Sequence, residues 1–72
     1  METQPLPFLT PREQQVMKHA ATGETSAGIG RELGISEHTV RKHLEHVYKK
    51  LGVRNRAAAV AVLAAAAVDF LV

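Results

Sequence analysis

The stretch between Gly34 and Gly52 constrains the fold of this 72-residue chain more than any other. Ser36 can cap a helix, and Gly52 supplies the left-handed residue that commonly ends one. Between them four aliphatic residues recur at spacings of four, three and four: Val40, Leu44, Val47 and Leu51. Such spacing is typical of a helix with one continuous apolar stripe, so this helix should pack that stripe on a core and expose its charged side.

A first helix begins at the letters TPRE. Thr10 can act as its N-cap, Pro11 fits the first helical position, and Glu13 can close a capping box. Apolar residues then recur at helical spacing, and Gly23 supplies a residue that commonly ends a helix. This pattern predicts a helix over roughly residues 11–21.

A second, shorter helix is capped by Thr25 or Ser26 and stopped by Gly34. Gly28 and Gly30 each weaken a helix by about 1 kcal/mol relative to alanine. Packing rather than intrinsic propensity must therefore hold this helix. Glycine also permits close approach of another backbone, and Gly30 is our candidate for such a contact.

A fourth helix runs through the alanine-rich stretch after Asn55, which can cap it. Both of its faces are apolar, one comprising Val60, Leu63, Ala64 and Ala67, the other Ala58, Ala59, Val62 and Ala66. A domain this small cannot bury a terminal helix on every side, so the second face predicts self-association. The alternative is that alanine is tolerated at a surface and the pattern has no meaning. The chain as a whole is predicted to be an all-α domain of four helices.

Composition excludes several classes of protein. The length allows one small domain, and the absence of cysteine excludes disulfides and thiolate metal sites. The N-terminus does not resemble a secretory signal, and the longest apolar run, residues 57–68, is too short to span a bilayer. We expect a soluble cytoplasmic protein that makes no membrane contact.

Charge is distributed unevenly along the chain. Residues 36–56 hold six of the nine cations and two of the seven anions, a net charge of +4, whereas the remainder carries −2. A rotation of 100° per residue puts His38, Lys42, Glu45, His46 and Lys49 opposite the apolar stripe of the third helix. A basic segment on an acidic body is typical of nucleic-acid binders, although an ordinary solvated face gives the same pattern.

The histidines do not indicate metal or catalytic chemistry. His43 and His46 could share a face of the helix, but a catalytic zinc site needs a third protein ligand and a structural site needs four. His19 lies at no motif spacing and is interpreted as a solvent-facing residue without a carboxylate partner. Four short helices also leave little room for a catalytic cleft. We therefore expect no metal, no cofactor and no enzymatic activity.

The second and third helices, joined by the glycine-containing turn ELGIS, match a helix-turn-helix arrangement. An α-helix fits the major groove of DNA, where Arg or Lys can pair with guanine and Glu can accept from cytosine. The competing interpretation is a non-enzymatic protein-interaction module, in which the alanine-rich helix docks a partner and the basic face is incidental.

The letters LTPREQQVM, GETSAGIGRELGISEHTVRKHL and KKLGVRNRAAAV resemble the DNA-binding domain of the LuxR/GerE family of bacterial transcription regulators, often the C-terminal effector domain of response regulators. The resemblance covers residues 9–68 and leaves 1–8 as an N-terminal arm or linker and 69–72 as a C-terminal tail. It implies that the third helix enters the major groove of double-stranded DNA and that the fourth forms a homodimer on a pseudo-palindromic site. It also implies a place at the nucleoid, with RNA polymerase as a further partner.

The resemblance assigns roles by position in this sequence. The residues implied to contact base edges are Arg41, Lys42 and Glu45. Those implied to contact the sugar-phosphate backbone are Ser36, Thr39, His43, Lys49, Lys50 and Arg54. Those implied to form the dimer interface are Ala58, Ala59, Val62 and Ala66.

This chain departs from the family pattern in two helices. Ala27 stands where a phosphate-facing lysine is common, and Gly28 stands where the family has a capping glutamate. Ala58 replaces the usual acidic residue near the start of the fourth helix. We therefore expect a second helix that frays more readily and a lower nonspecific affinity for DNA.

Overall fold

The computed structural model describes the backbone of residues 9–71 and the side chains of residues 9–65. The described chain forms four α-helices and no strands: α1 Pro11–Ala21, α2 Ser26–Leu33, α3 Glu37–Leu51 and α4 Arg56–Leu71. The predicted all-α, four-helix architecture is confirmed. Helical backbone continues past residue 68, where we expected a C-terminal tail, and the expected arm at 1–8 lies outside the described residues.

The first helix begins as its sequence predicts. The Thr10 hydroxyl accepts from the Glu13 backbone N–H, and the Glu13 carboxylate accepts from the Thr10 N–H, each at 3.0 Å. Pro11 occupies the first helical position, where its missing N–H leaves no helical hydrogen bond unmade. Gly23, with φ of +89°, adopts the left-handed conformation just after the helix. The capping box and both boundaries of α1 are thus confirmed.

The turn between α2 and α3 lies directly on Gly30. Gly30 is buried, its carbonyl accepts from the Ile35 N–H at 2.9 Å, and a Cβ added to it would lie 2.5 Å from the Ile35 carbonyl oxygen. No side chain fits at that distance, because the opposing atom belongs to the backbone. The prediction that Gly30 permits close backbone approach is confirmed.

Helix α3 is the central element and packs against α1, α2 and α4. Val40 and Val47 have no exposed surface, Leu44 is buried, and Leu51 is partly buried against the same core. The other buried apolar residues are Leu9, Val16, Met17, Ala20, Ile29 and Ala59. The predicted stripe therefore fixes the rotation of α3 about its own axis.

One prediction about α4 is wrong. Ala59 was expected on an exposed face, yet it has no exposed surface and belongs to the core. The reason is that α4 packs on α1 and α3, and a small methyl group lets these helices approach closely. Val62 remains 41% exposed and Ala58 is half-buried, whereas the side chain of Ala66 lies outside the described residues.

No helix in the described range has the length and apolar character needed to cross a bilayer.

Candidate nucleic-acid interface

The three predicted base-contacting residues lie on the exposed side of α3. Arg41, Lys42 and Glu45 are all exposed, while the aliphatic side chains of the same helix turn inward. The Ser36 hydroxyl begins this helix by accepting from the Thr39 N–H at 3.0 Å. The structure thus presents these side chains on a helix whose rotation about its axis is fixed by the packing of its buried side chains.

Arg41 forms an ion pair with Glu37, one helical turn before it. Its Nη2 donates to Glu37 Oε2, and the side chains are 61% and 44% exposed respectively. Glu37 is not among the interface residues predicted from the sequence. The signal was present, since an acidic residue four positions before a basic one on a helix surface is a favourable arrangement.

Lys50, predicted to contact the DNA backbone, is engaged within the domain. Its Nζ lies 2.7 Å from Glu13 Oε1, the same oxygen that accepts from the Thr10 N–H. The Glu13 side chain is 5% exposed and that of Lys50 is 34% exposed. One carboxylate therefore joins the start of α1 to the end of α3, and the predicted role of Lys50 must be compatible with this contact.

Opposing influences act on the pKa of Glu13. Burial raises it, whereas the hydrogen bonds from Lys50 and from the Thr10 backbone, together with the positive charge of Lys50, lower it. The result is a pKa below the ordinary value of 4.5. Glu13 is therefore ionised at neutral pH and attracts Lys50.

The remaining predicted backbone contacts differ in their surroundings. Ser36 and Thr39 share a hydrogen bond of 2.9 Å between their hydroxyl groups, so both take part in starting α3. His43 is half-buried, whereas Lys49 and Arg54 are exposed. The structure thus keeps Lys49 and Arg54 accessible to solvent near the C-terminal end of α3.

Arg56 connects the start of α4 to the start of α2. This contact was not predicted from the sequence. Arg56 Nη1 donates to the Glu24 carbonyl, and its Nη2 lies 3.4 Å from the Ser26 hydroxyl. The contact ties the first residue of α4 to the first residue of α2. It supports the helix whose capping glutamate is missing, where Thr25 alone accepts from the Gly28 N–H at 3.0 Å.

The expectation that His19 has no carboxylate partner is wrong. His19 Nδ1 lies 2.8 Å from Glu24 Oε2, which also accepts from the Thr22 hydroxyl at 3.2 Å. The hydrogen bond from His19, the largest contribution, lowers the pKa of Glu24. Both residues lie beside the turn between α1 and α2, so this pair closes that turn.

Within the described side chains, no group of three or more histidine, cysteine or acidic residues could hold a metal ion. An apolar groove of about 290 Å³ lies between α1 and α4. Its lining residues are Gln14, Met17, Lys18, Ala21, Val60, Leu63 and Ala64. None of these coincides with the residues predicted to contact DNA.

Residues 7–63 match the model of the family described as bacterial regulatory proteins, luxR family. No solved structure matches the chain significantly. Three curated relatives illustrate the similarity. The probable transcriptional regulatory protein SgaR of Hyphomicrobium methylovorum is 49% identical over 79% of this chain and 27% of its own length. The probable transcriptional regulatory protein NarL of Mycobacterium tuberculosis is 44% identical over 76% of this chain and 26% of its own length.

The spore germination protein GerE of Bacillus subtilis is 44% identical over 82% of this chain and 80% of its own length. This chain therefore spans about a quarter of the length of relatives such as SgaR and NarL but most of the length of GerE. The match to the family model covers most of the described domain, including all of α1, α2 and α3. The chain belongs to the luxR family of bacterial regulatory proteins, which are DNA-binding transcription regulators and not enzymes.

Proposed function

We propose that this domain binds double-stranded DNA sequence-specifically in bacterial transcription regulation, with α3 in the major groove. The observation that supports this most directly is the orientation of α3. Val40 and Val47 are fully buried, while Arg41, Lys42 and Glu45 remain exposed on the same rigid helix. Base readout needs side chains held in a fixed register, and packing of the stripe supplies that register.

Electrostatics supports the same proposal. The segment 36–56 carries a net charge of +4, which attracts phosphates irrespective of base sequence. The proposed backbone contacts flank the base-reading residues: Ser36, Thr39, His43, Lys49, Lys50 and Arg54. Phosphate contacts of this kind position the helix, and Arg41, Lys42 and Glu45 then distinguish base pairs.

Lys42 and Lys49 form a matched pair for testing base readout, because both are exposed lysines on α3. Lys42→Ala should weaken binding to the preferred duplex by about 1–3 kcal/mol and relax preference at one base pair. Lys49→Ala should instead weaken binding to all duplexes alike. It should also reduce the salt slope, the slope of log affinity against log salt concentration, by about one unit.

The measurement begins with selection of bound duplexes from a random pool, followed by titrations of preferred and scrambled duplexes at several salt concentrations. Thermal unfolding of both variants serves as the control for folding. Equal losses for the two variants on every duplex would contradict the assignment of Lys42 to base readout. If no duplex perturbs the amide resonances of residues 36–50, the interaction-module interpretation replaces the proposal.

We further propose that α4 pairs two copies on a pseudo-palindromic site through Ala58, Val62 and Ala66. Val62 supports this, because it is a large aliphatic residue left 41% exposed on α4. Ala59 is left out of this interface, because it is buried within a single copy of the chain. Two copies related by a two-fold axis would present two recognition helices to successive half-sites.

Val62→Asp should abolish cooperative binding to a duplex with two half-sites while leaving single half-site binding intact. The physical reason is that the dimer interface would then bury an unpaired carboxylate on each copy. Ala57→Asp is the control, since it adds the same charge to an exposed position near the N-terminus of α4, where an acid is tolerated. Cooperativity that survives in Val62→Asp, or disappears equally in both variants, would exclude Val62 from the interface.

As a transcription regulator, the protein would act in the cytoplasm at the nucleoid, with RNA polymerase as a further partner. The names of the relatives support the regulatory role. The relatives that are about four times longer than the matched region also support a role for this domain as the effector part of a larger regulator, such as a response regulator.

A further inference from the structure

We propose that Glu37 is a specificity-determining residue that directs Arg41 to base edges and away from phosphates. The inference rests on the proposed function of α3 and deepens it. Glu37 lies at the first residue of α3, and Arg41 follows one turn later. Neither the helix cap nor the core requires Glu37, because Ser36 supplies the cap and the core residues lie on another side of the helix.

The geometry identifies Glu37 as the partner of Arg41. Arg41 has an acidic residue four positions away in both directions, Glu37 before it and Glu45 after it. The guanidinium contacts Glu37, which agrees with the preference for an acid on the N-terminal side of a basic partner. Because the two side chains are 61% and 44% exposed, the pair is accessible to a duplex that binds α3.

Pairing with Glu37 does not prevent Arg41 from reading a base. A guanidinium has five N–H donors in a planar fork, and the contact with Glu37 uses a donor on Nη2. The remaining donors can pair with guanine O6 and N7. The carboxylate also restrains the long side chain, so less rotamer entropy is lost when Arg41 meets the base.

The same pair disfavours phosphate contact by Arg41. If the guanidinium moved to a phosphate, the Glu37 carboxylate would lose its cation while it faces the anionic duplex. An unpaired charge in such a place is unfavourable, whatever the base sequence. Glu37 therefore weakens nonspecific binding more than specific binding, which raises the ratio between them.

Glu37→Gln tests this inference, with Glu32→Gln as the matched control. Glu32 is also exposed and lies near the end of α2, so its substitution removes the same charge from the same helix-turn-helix unit. Both variants should bind scrambled duplexes more tightly, because one repulsive charge is lost. For Glu37→Gln alone, discrimination at the base pair read by Arg41 should also fall by about tenfold, equivalent to about 1.4 kcal/mol.

The substitutions are repeated in an Arg41→Ala background, where Glu37→Gln should cause no further loss of discrimination. Equal discrimination by Glu37→Gln and Glu32→Gln would overturn the inference while leaving DNA binding established. A loss that persists in the Arg41→Ala background would also overturn it, because Glu37 would then act through another residue. Failure of the parent protein to bind any duplex at low salt would overturn the proposed function, and this inference with it.

Discussion

Lys50→Ala is expected to lower the free energy of unfolding by about 1–3 kcal/mol, because it leaves a buried carboxylate without its cation. The Glu13 side chain is 5% exposed, and without Lys50 the hydrogen bond from the Thr10 N–H remains as its partner on Oε1. We place the loss below the range for a fully buried ion pair, since the Lys50 side chain is 34% exposed and partly screened by water. Equilibrium unfolding in urea measures the change.

Two controls isolate the Glu13–Lys50 contact. Lys49→Ala removes the neighbouring exposed lysine and should change stability by no more than about 0.5 kcal/mol. In a Glu13→Gln background, Lys50→Ala should have a smaller effect, because no charge remains to be left unpaired. Equal losses for Lys49→Ala and Lys50→Ala would show that the contact contributes nothing to stability.

The effect of Lys50→Ala should depend on pH in a defined direction. Burial alone would raise the pKa of Glu13, but the hydrogen bonds from Lys50 and Thr10 hold it below 4.5. A lowered pKa in the folded state means that the carboxylate stabilises the fold above the ordinary value and that this contribution is lost as pH falls through the folded value. The difference between the parent and Lys50→Ala should thus be largest near neutral pH and shrink below about pH 4.5.

This contact also changes how Lys50 is tested as a DNA contact. If Lys50 contacts a phosphate, Lys50→Ala should weaken binding to all duplexes alike and lower the salt slope by about one unit. The same substitution is now expected to destabilise the fold. The salt slope must therefore be measured at a temperature where both proteins are fully folded, with Lys49→Ala beside it.

Gly30→Ala is expected to lower the free energy of unfolding by about 1–3 kcal/mol, although alanine favours a helix over glycine by about 1 kcal/mol. The added methyl group would lie 2.5 Å from the Ile35 carbonyl oxygen and 3.3 Å from the Ser36 carbonyl carbon. Both atoms belong to the backbone of the turn that leads into α3. Relief of the clash must therefore move the start of α3.

Gly28→Ala is the matched control in the same helix. Its Cβ would lie 3.3 Å from the Thr25 hydroxyl, the cap of α2, which would have to shift by a few tenths of an ångström, and 3.8 Å from an Arg31 nitrogen; neither atom belongs to the backbone. This variant should be unchanged or up to about 1 kcal/mol more stable. Thermal unfolding of the two variants distinguishes the cases. Similar stability for both would mean that the turn packed on Gly30 can move away without a cost in free energy.

Much of the candidate site could be predicted because it follows from the rotation of one helix. The spacing of Val40, Leu44 and Val47 fixes which side of α3 is buried, and a turn of 100° per residue then exposes Arg41 and Lys42. The pairing of Arg41 with Glu37 is also local and was recoverable from its spacing. Which side chains contact bases or phosphates stays a prediction, since it depends on the duplex.

The sequence by itself determined the four helices, the ends of the first three and the start of the fourth. The capping box of Thr10 and Glu13, the Asn55 side chain that accepts from the Ala58 N–H at 2.8 Å, and the left-handed glycines all act within a few residues. Such short-range preferences can be read from letters, because the interacting atoms are neighbours in the chain.

The tertiary structure decided which distant parts of the chain α1 and α4 contact. The contact between Glu13 and Lys50 spans 37 residues, and that between Arg56 and the Glu24 carbonyl spans 32. The burial of Ala59 likewise follows from where α4 lies, since both faces of that helix are apolar in sequence and nothing local distinguishes them. Contacts of this range depend on how whole helices pack, because chain segments far apart in sequence become neighbours when the shared core excludes water.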